Sequence, residues 1–175
     1  MKILFISLLF ASGFFVSSIY DYHYSDQNGN EVYLSQYSGK KMLIVNIASE
    51  SEFAAVQIPQ LQELSQQFAD SLVIIAFPSN DFGNEPRNNN DIRLLLEHTY
   101  HVTFPVAKKT GVKDSTDTTN PVYDWLQDES KNGSSRVKVK RDFQKYLVGR
   151  DGKLEGLFSA RMNPMDSAII NAITQ

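Results

Sequence analysis

The chain has 175 residues, a formal net charge of -3, and 42% hydrophobic against 21% charged residues, which suits one globular domain with a real core and excludes a disordered or collagen-like chain. A sequence pI of about 5.6 gives no general electrostatic case for nucleic acid or an anionic membrane as partner. The absence of cysteine excludes disulfides, thiolate nucleophiles, thiolate metal sites and cysteine-linked lipid.

Lys2 precedes an apolar run from Ile3 to Val16, shorter than the roughly twenty residues that cross a bilayer, so it reads as a secretory signal. Val16, Ser17 and Ser18 offer small residues for cleavage. The expected division is a leader at 1–18 and a domain at 19–175, exported to the periplasm or cell exterior; an uncleaved anchor is the alternative, and Ala11 and Gly13 allow an earlier cut. The domain opens on a predicted hairpin, Ile19 to Tyr24 and Val32 to Leu34, around the turn residues Asp26 to Asn30. Met42 to Ala48 and Ser71 to Phe77 are apolar runs that predict interior strands. Between them Pro59 fits the first position of a helix whose face carries Leu61, Leu64 and Phe68.

Asn88 to Asp91 cap a second predicted helix over Ile92 to Tyr100, and Pro105 keeps Val102 to Val106 extended. Lys108 to Asn120 reads as loop, and Pro121 opens a short helix through Gln127. Arg136 to Lys140 alternates as a charged strand edge does, Lys145 to Val148 and Leu154 to Phe158 flank a turn at Asp151 and Gly152, and Pro164 to Ile173 closes as a helix. Strands alternating with helices predict an α/β fold, a mixed sheet covered by helices. His98 and His101 lack the third and fourth ligands of a stable zinc site, so surface imidazoles are the simpler reading and no metal is expected. Ser49 and Glu52 have the spacing of a capping box. Asn132, Gly133 and Ser134 form a glycosylation acceptor, meaningful only in a eukaryotic host.

Six strings, "SIYDY", "LSQYSGKKMLIVNIAS", "FPSNDFGNEP", "VTFPV", "PVYDWL" and "FQKYLVGRDGKL", follow one another in the order and approximate spacing of the glutathione peroxidase family, which the chain resembles over nearly all of 19–175. The resemblance implies a thioredoxin-like fold with an N-terminal β-hairpin. It also implies a peroxidatic cysteine or selenocysteine at the position held here by Ser51, a Gln at Asp81, and a Trp-Asn pair at Arg141 and Asp142. The resolving cysteine of thioredoxin-dependent members falls near Leu96, a second noncatalytic cysteine falls at Ser79, and Trp125 belongs to a different string from the missing indole.

A thiol starts near pKa ~8.5 and ionises readily beside cations or helix N-termini, whereas a serine hydroxyl needs an adjacent base and has no sulfenic acid. Glu50 and Glu52 flank Ser51 and oppose a further anion there. Replacing two amides and an indole by Asp81, Asp142 and Arg141 removes neutral donors. In their place the two readings are a new ionic site, with Arg141 paired to one or both aspartates, and three solvated charges. The expected function is a noncatalytic binding module for a protein or small molecule, with no cofactor and no implied glutathione site; the alternative is an enzyme, a residual or altered peroxidase centred on Ser51, Asp81, Arg141 and Asp142.

Overall fold

The structure is a computed structural model and describes residues 17–114, 118–134 and 136–175, so all of the predicted leader except Ser17 and Ser18 lies outside the described residues. Ser18 caps a 3-10 turn over Ile19–Asp21: its hydroxyl accepts from the Tyr20 N–H, and its own N–H donates to the Asp21 carboxylate at 3.1 Å. The hairpin is present but shorter than expected, with β1 (His23–Ser25) antiparallel to β2 (Glu31–Tyr33) and His23 opposite Tyr33. Asp26 closes its turn by accepting from the Asn28 and Asn30 N–H groups at 2.8 Å each.

A second sheet carries the core. β3 (Lys41–Ile47), β4 (Leu72–Pro78), β5 (Lys145–Val148) and β6 (Leu154–Phe158) lie in the order β4-β3-β5-β6. β3 is parallel to β4 and antiparallel to β5. Because side chains alternate along a strand, the continuous apolar runs cover both faces. Met42, Ile44, Ile75, Phe77 and Tyr146 face α3 (Pro121–Gln127) and the hairpin, packing with Tyr24, Tyr123 and Trp125. Leu43, Val45, Ile74 and Leu147 face α1 (Ala54–Gln67), α2 (Asn89–Leu94) and, beyond the short α4 (Glu129–Asn132), α5 (Ser167–Thr174) through Ile58, Leu61, Ile92 and Ile169. β3 is interior as predicted. β4 is instead the edge of this sheet, covered where Ala76 donates to the Pro105 carbonyl and accepts from the Ala107 N–H.

Three local expectations give way to packing. α1 begins at Ala54, not Pro59, because Ala54, Gln57, Ile58, Leu61 and Leu64 already form one buried stripe; Pro59 sits inside the helix on its exposed side. The second helix changes to a π turn over Leu95–Thr99, and His101 leaves it at φ 52°. Residues 136–140 form no strand where described: the Val139 N–H donates to the Gln127 side chain at 2.7 Å and the Lys140 N–H to that of Gln144. The glycosylation triplet is also closed off, since Asn132 is buried with its amide nitrogen donating to the Trp125 and Leu126 carbonyls.

Candidate functional site

Three loops meet at the carboxyl ends of the parallel strands β3 and β4, the place where open α/β sheets hold ligands. The first follows β3 and carries Glu50, Ser51 and Glu52; the second follows β4 and runs from Ser79 to Asn88; the third precedes β5 and carries Arg141 and Asp142. Backbone bonds lock them together: Glu50 N–H to the Asn84 carbonyl at 2.9 Å, and Phe143 N–H to the Asn46 carbonyl at 2.7 Å. The buried Asn46 side chain adds a bond to the Arg141 carbonyl at 3.1 Å. They enclose a hollow of about 460 Å³ lined by Glu50, Ser51, Glu52, Phe82, Asn84, Arg141 and Asp142.

The third loop is held in a strained turn. Phe143 adopts φ 65°, a left-handed conformation unusual for a bulky side chain, which persists only where its surroundings enforce it. Its ring is buried edge-on to Phe53, and its carbonyl accepts from Lys145 Nζ at 2.7 Å. Lys145 is fully buried, and its other acceptor is the Met162 carbonyl at 2.8 Å. Burial pulls its ammonium down to about 7, and a neutral amine has two N–H donors for these two carbonyls.

An unfolded lysine holds its proton to about pH 10.4, so between roughly pH 7 and 10 the unfolded chain binds more protons and stability rises with pH. The expected rise is on the order of 4 kcal/mol, ending near pH 10 where the buried Tyr24, Tyr123 and Tyr146, whose hydroxyls burial pushes up, begin to favour the unfolded state. Urea melts at pH 7 and 9.5 should show this rise in the native chain and a flattened profile in Lys145→Met.

Ser51, Arg141 and Asp142 share the hollow, while Asp81 is not among its lining residues. The Asp81 carboxylate accepts from the Val112 and Lys113 N–H groups at 2.6 and 2.7 Å, and its carbonyl accepts from Lys113 Nζ. Arg141 pairs with neither aspartate: its guanidinium binds Glu52 and lies 4.9 Å from the Phe53 ring centre. Nor does the Ser49–Glu52 capping box form. Ser49 instead gives its N–H and hydroxyl to Glu85 at 2.7 Å each, and the helix N-cap is Phe53.

Asp142 is 2% exposed, accepts from Asn84 Nδ2 at 2.6 Å through Oδ2, and has no hydrogen-bond partner at Oδ1. Burial raises its pKa above the ordinary carboxylate value, helped by the Glu85 charge, against smaller opposing effects from the Asn84 amide, the Arg141 charge and the Ser51 hydroxyl. The Ser51 hydroxyl accepts from the Phe53 N–H at 3.5 Å and interacts weakly with the Asp142 carboxylate. Sequence reasoning passed over the frame behind the hollow, where Arg87 bridges Ser49 and Glu50 at 2.6 and 3.1 Å and the buried Glu85 holds the Ser49 end. Its signal was the Asn84-Glu85-Pro86 run within "FPSNDFGNEP".

The glutathione peroxidase family model matches residues 19–127. A probable phospholipid hydroperoxide glutathione peroxidase of Mesembryanthemum crystallinum is 39% identical over 84% of this chain and 86% of its own. The glutathione peroxidase homolog BsaA of Staphylococcus epidermidis is 36% identical over 85% and 93%. Among solved structures, that of apo Trgpx covers 91% of this chain and 97% of its own at TM-score 0.67 and 36% identity. A thioredoxin-family thiol:disulfide interchange protein from Chlorobium tepidum covers 90% and 96% at TM-score 0.63 and 11% identity, a likeness of fold alone.

Proposed function

The chain belongs to the glutathione peroxidase family, and from that premise we propose that it is an exported, noncatalytic member whose former peroxide site binds a protein or small molecule. One observation carries the reading: a chain without cysteine has a serine hydroxyl at the nucleophile position, set among the carboxylates of Glu50, Glu52 and Asp142. A hydroxyl there has neither the low pKa nor the sulfur oxidation states that peroxide reduction uses. Neither Arg141, spent on Glu52, nor Asp142 replaces the indole and amide donors of the family. The test is peroxide turnover: with hydrogen peroxide or a lipid hydroperoxide and either glutathione or thioredoxin as reductant, no rate above background is expected. Turnover with any of these pairs would favour the residual or altered peroxidase that the relatives' names invite.

Export rests on the apolar run after Lys2. The cleavage point proposed here lies before Ser17, earlier than the sequence alone favours. The Ser17 carbonyl accepts from the buried Trp125 Nε1 at 2.8 Å, and Ser18 caps the first turn. A cut after Ser18 would orphan that indole N–H, at a cost of about 1–3 kcal/mol. N-terminal sequencing of the mature protein should therefore read Ser17 or an earlier residue; a start at Ile19 contradicts this boundary, and an intact Met1 in the cytosol contradicts export.

A further inference from the structure

On the reading that the hollow binds rather than reduces, we infer that its ligand presents a primary alkylammonium, seated on the unpartnered Oδ1 of Asp142 beside Ser51 and Asn84. Asp142 is 2% exposed, yet its Oδ1 has no hydrogen bond of normal geometry and the Ser51 hydroxyl interacts with the carboxylate only weakly, a deficit that a ligand N–H would relieve. The charge of the lining has the matching sign, three carboxylates against one guanidinium, and that guanidinium is held on Glu52. Glu50 is likewise occupied, by Arg87 at 3.1 Å, which leaves Asp142 as the lining carboxylate without a salt bridge. The same sign disfavours glutathione or a fatty-acid carboxylate.

The geometry selects among cations. A guanidinium binds carboxylates best through two parallel bonds, but Asp142 Oδ2 is already taken by Asn84 Nδ2 at 2.6 Å, so the fork has only one oxygen to engage. An ammonium is a point charge with three rotatable donors. Asp142 Oδ1, the Ser51 hydroxyl and the Asn84 amide oxygen are acceptors from three different loops around one hollow, and Phe82 offers an apolar wall for the alkyl stem. Among the described residues no three His, Cys, Asp or Glu side chains are placed to hold a metal ion, which also favours an organic cation.

Calorimetric titration of the full protein tests this with n-butylammonium for a free amine and an end-blocked Gly-Lys-Gly peptide for a protein-borne one. Saturable one-to-one binding of either is expected, and the tighter of the two identifies the source. Tetramethylammonium, which has charge but no N–H, and butyrate should bind at least about tenfold more weakly. Asp142→Asn, checked by its melting curve, should weaken amine binding at least about tenfold, and Ser51→Ala, which changes only a partly exposed hydroxyl, should weaken it measurably. No saturable binding of either amine, equal binding of tetramethylammonium, or an Asp142→Asn variant as tight as the native chain would overturn the assignment. Loss of amine binding without peroxide turnover removes only this ligand class, whereas turnover removes the binding-module reading itself.

Discussion

Ser51→Cys combined with Arg141→Trp and Asp142→Asn is expected to yield a thiol that hydrogen peroxide oxidises at least about a hundredfold faster than the thiol of Ser51→Cys alone, the scale on which single preorganised donors act. In the single variant the thiol would share its hollow with Glu50, Glu52 and Asp142, and these carboxylates would hold it protonated. Arg141 offsets little of that because its guanidinium is committed to Glu52. Converting Asp142 to an amide removes the buried carboxylate that lines the hollow and restores a donor, and the indole supplies another. Adding Asp81→Gln should bring no comparable gain, because Asp81 accepts from the Val112 and Lys113 N–H groups instead of lining the hollow; its expected effect is a lower melting temperature. Stopped-flow oxidation of the single and triple variants decides the matter. Equal rates would mean that Arg141 and Asp142 do not govern the chemistry of position 51.

Ile44→Asp should leave the chain unfolded at 25 °C by circular dichroism. Ile44 is fully buried at the centre of β3, opposite Ile75 on one side and Tyr146 on the other. The substitution forfeits about 2–3 kcal/mol of apolar burial and places a carboxyl in the core with no partner, costing several kcal/mol more. A domain with about 5–15 kcal/mol of stability does not withstand that sum. Val56→Asp on α1 is the contrast: Val56 is 52% exposed, so its melt should move by no more than about 0.5 kcal/mol. A folded Ile44→Asp protein would contradict the placement of β3.

Where sequence and structure agree, burial is continuous. Met42 to Ile47 and Leu72 to Phe77 are apolar enough to announce strands by composition alone, and the family strings placed them in a thioredoxin-like order. The differences arise where tertiary contacts outbid local chemistry. Pro59 is a strong helix-start signal, yet the stripe from Ala54 to Leu64 gains more from burial than the helix loses at one missing N–H on its solvent side. Ser49 and Glu52 have capping-box spacing, but Glu85 and Arg141, distant in sequence, bind them first. The alternation from Arg136 to Lys140 lacks a partner strand, and side-chain amides take its backbone donors.

At the site, substitution was legible while geometry was not. Ser51, Arg141 and Asp142 could be assigned to one hollow from family strings, but nothing in the residues showed that Asp81 turns to the Val112 and Lys113 backbone or that Asp142 keeps a buried oxygen without a donor. The Asn84 contact with Asp142 joins positions 58 apart in sequence, and the strained Phe143 turn that presents Asp142 depends on the Asn46 carbonyl and on Lys145.

The proposed loss of peroxide chemistry is tested most directly under single-turnover conditions, with purified native protein in excess over hydrogen peroxide and Ser51→Ala as reference. Peroxide should persist at the buffer rate with both proteins, since the Ser51 hydroxyl cannot accept the oxygen and the chain has no cysteine to do so. Peroxide consumption by the native chain that disappears in Ser51→Ala would contradict the account, because it would place a working nucleophile at position 51.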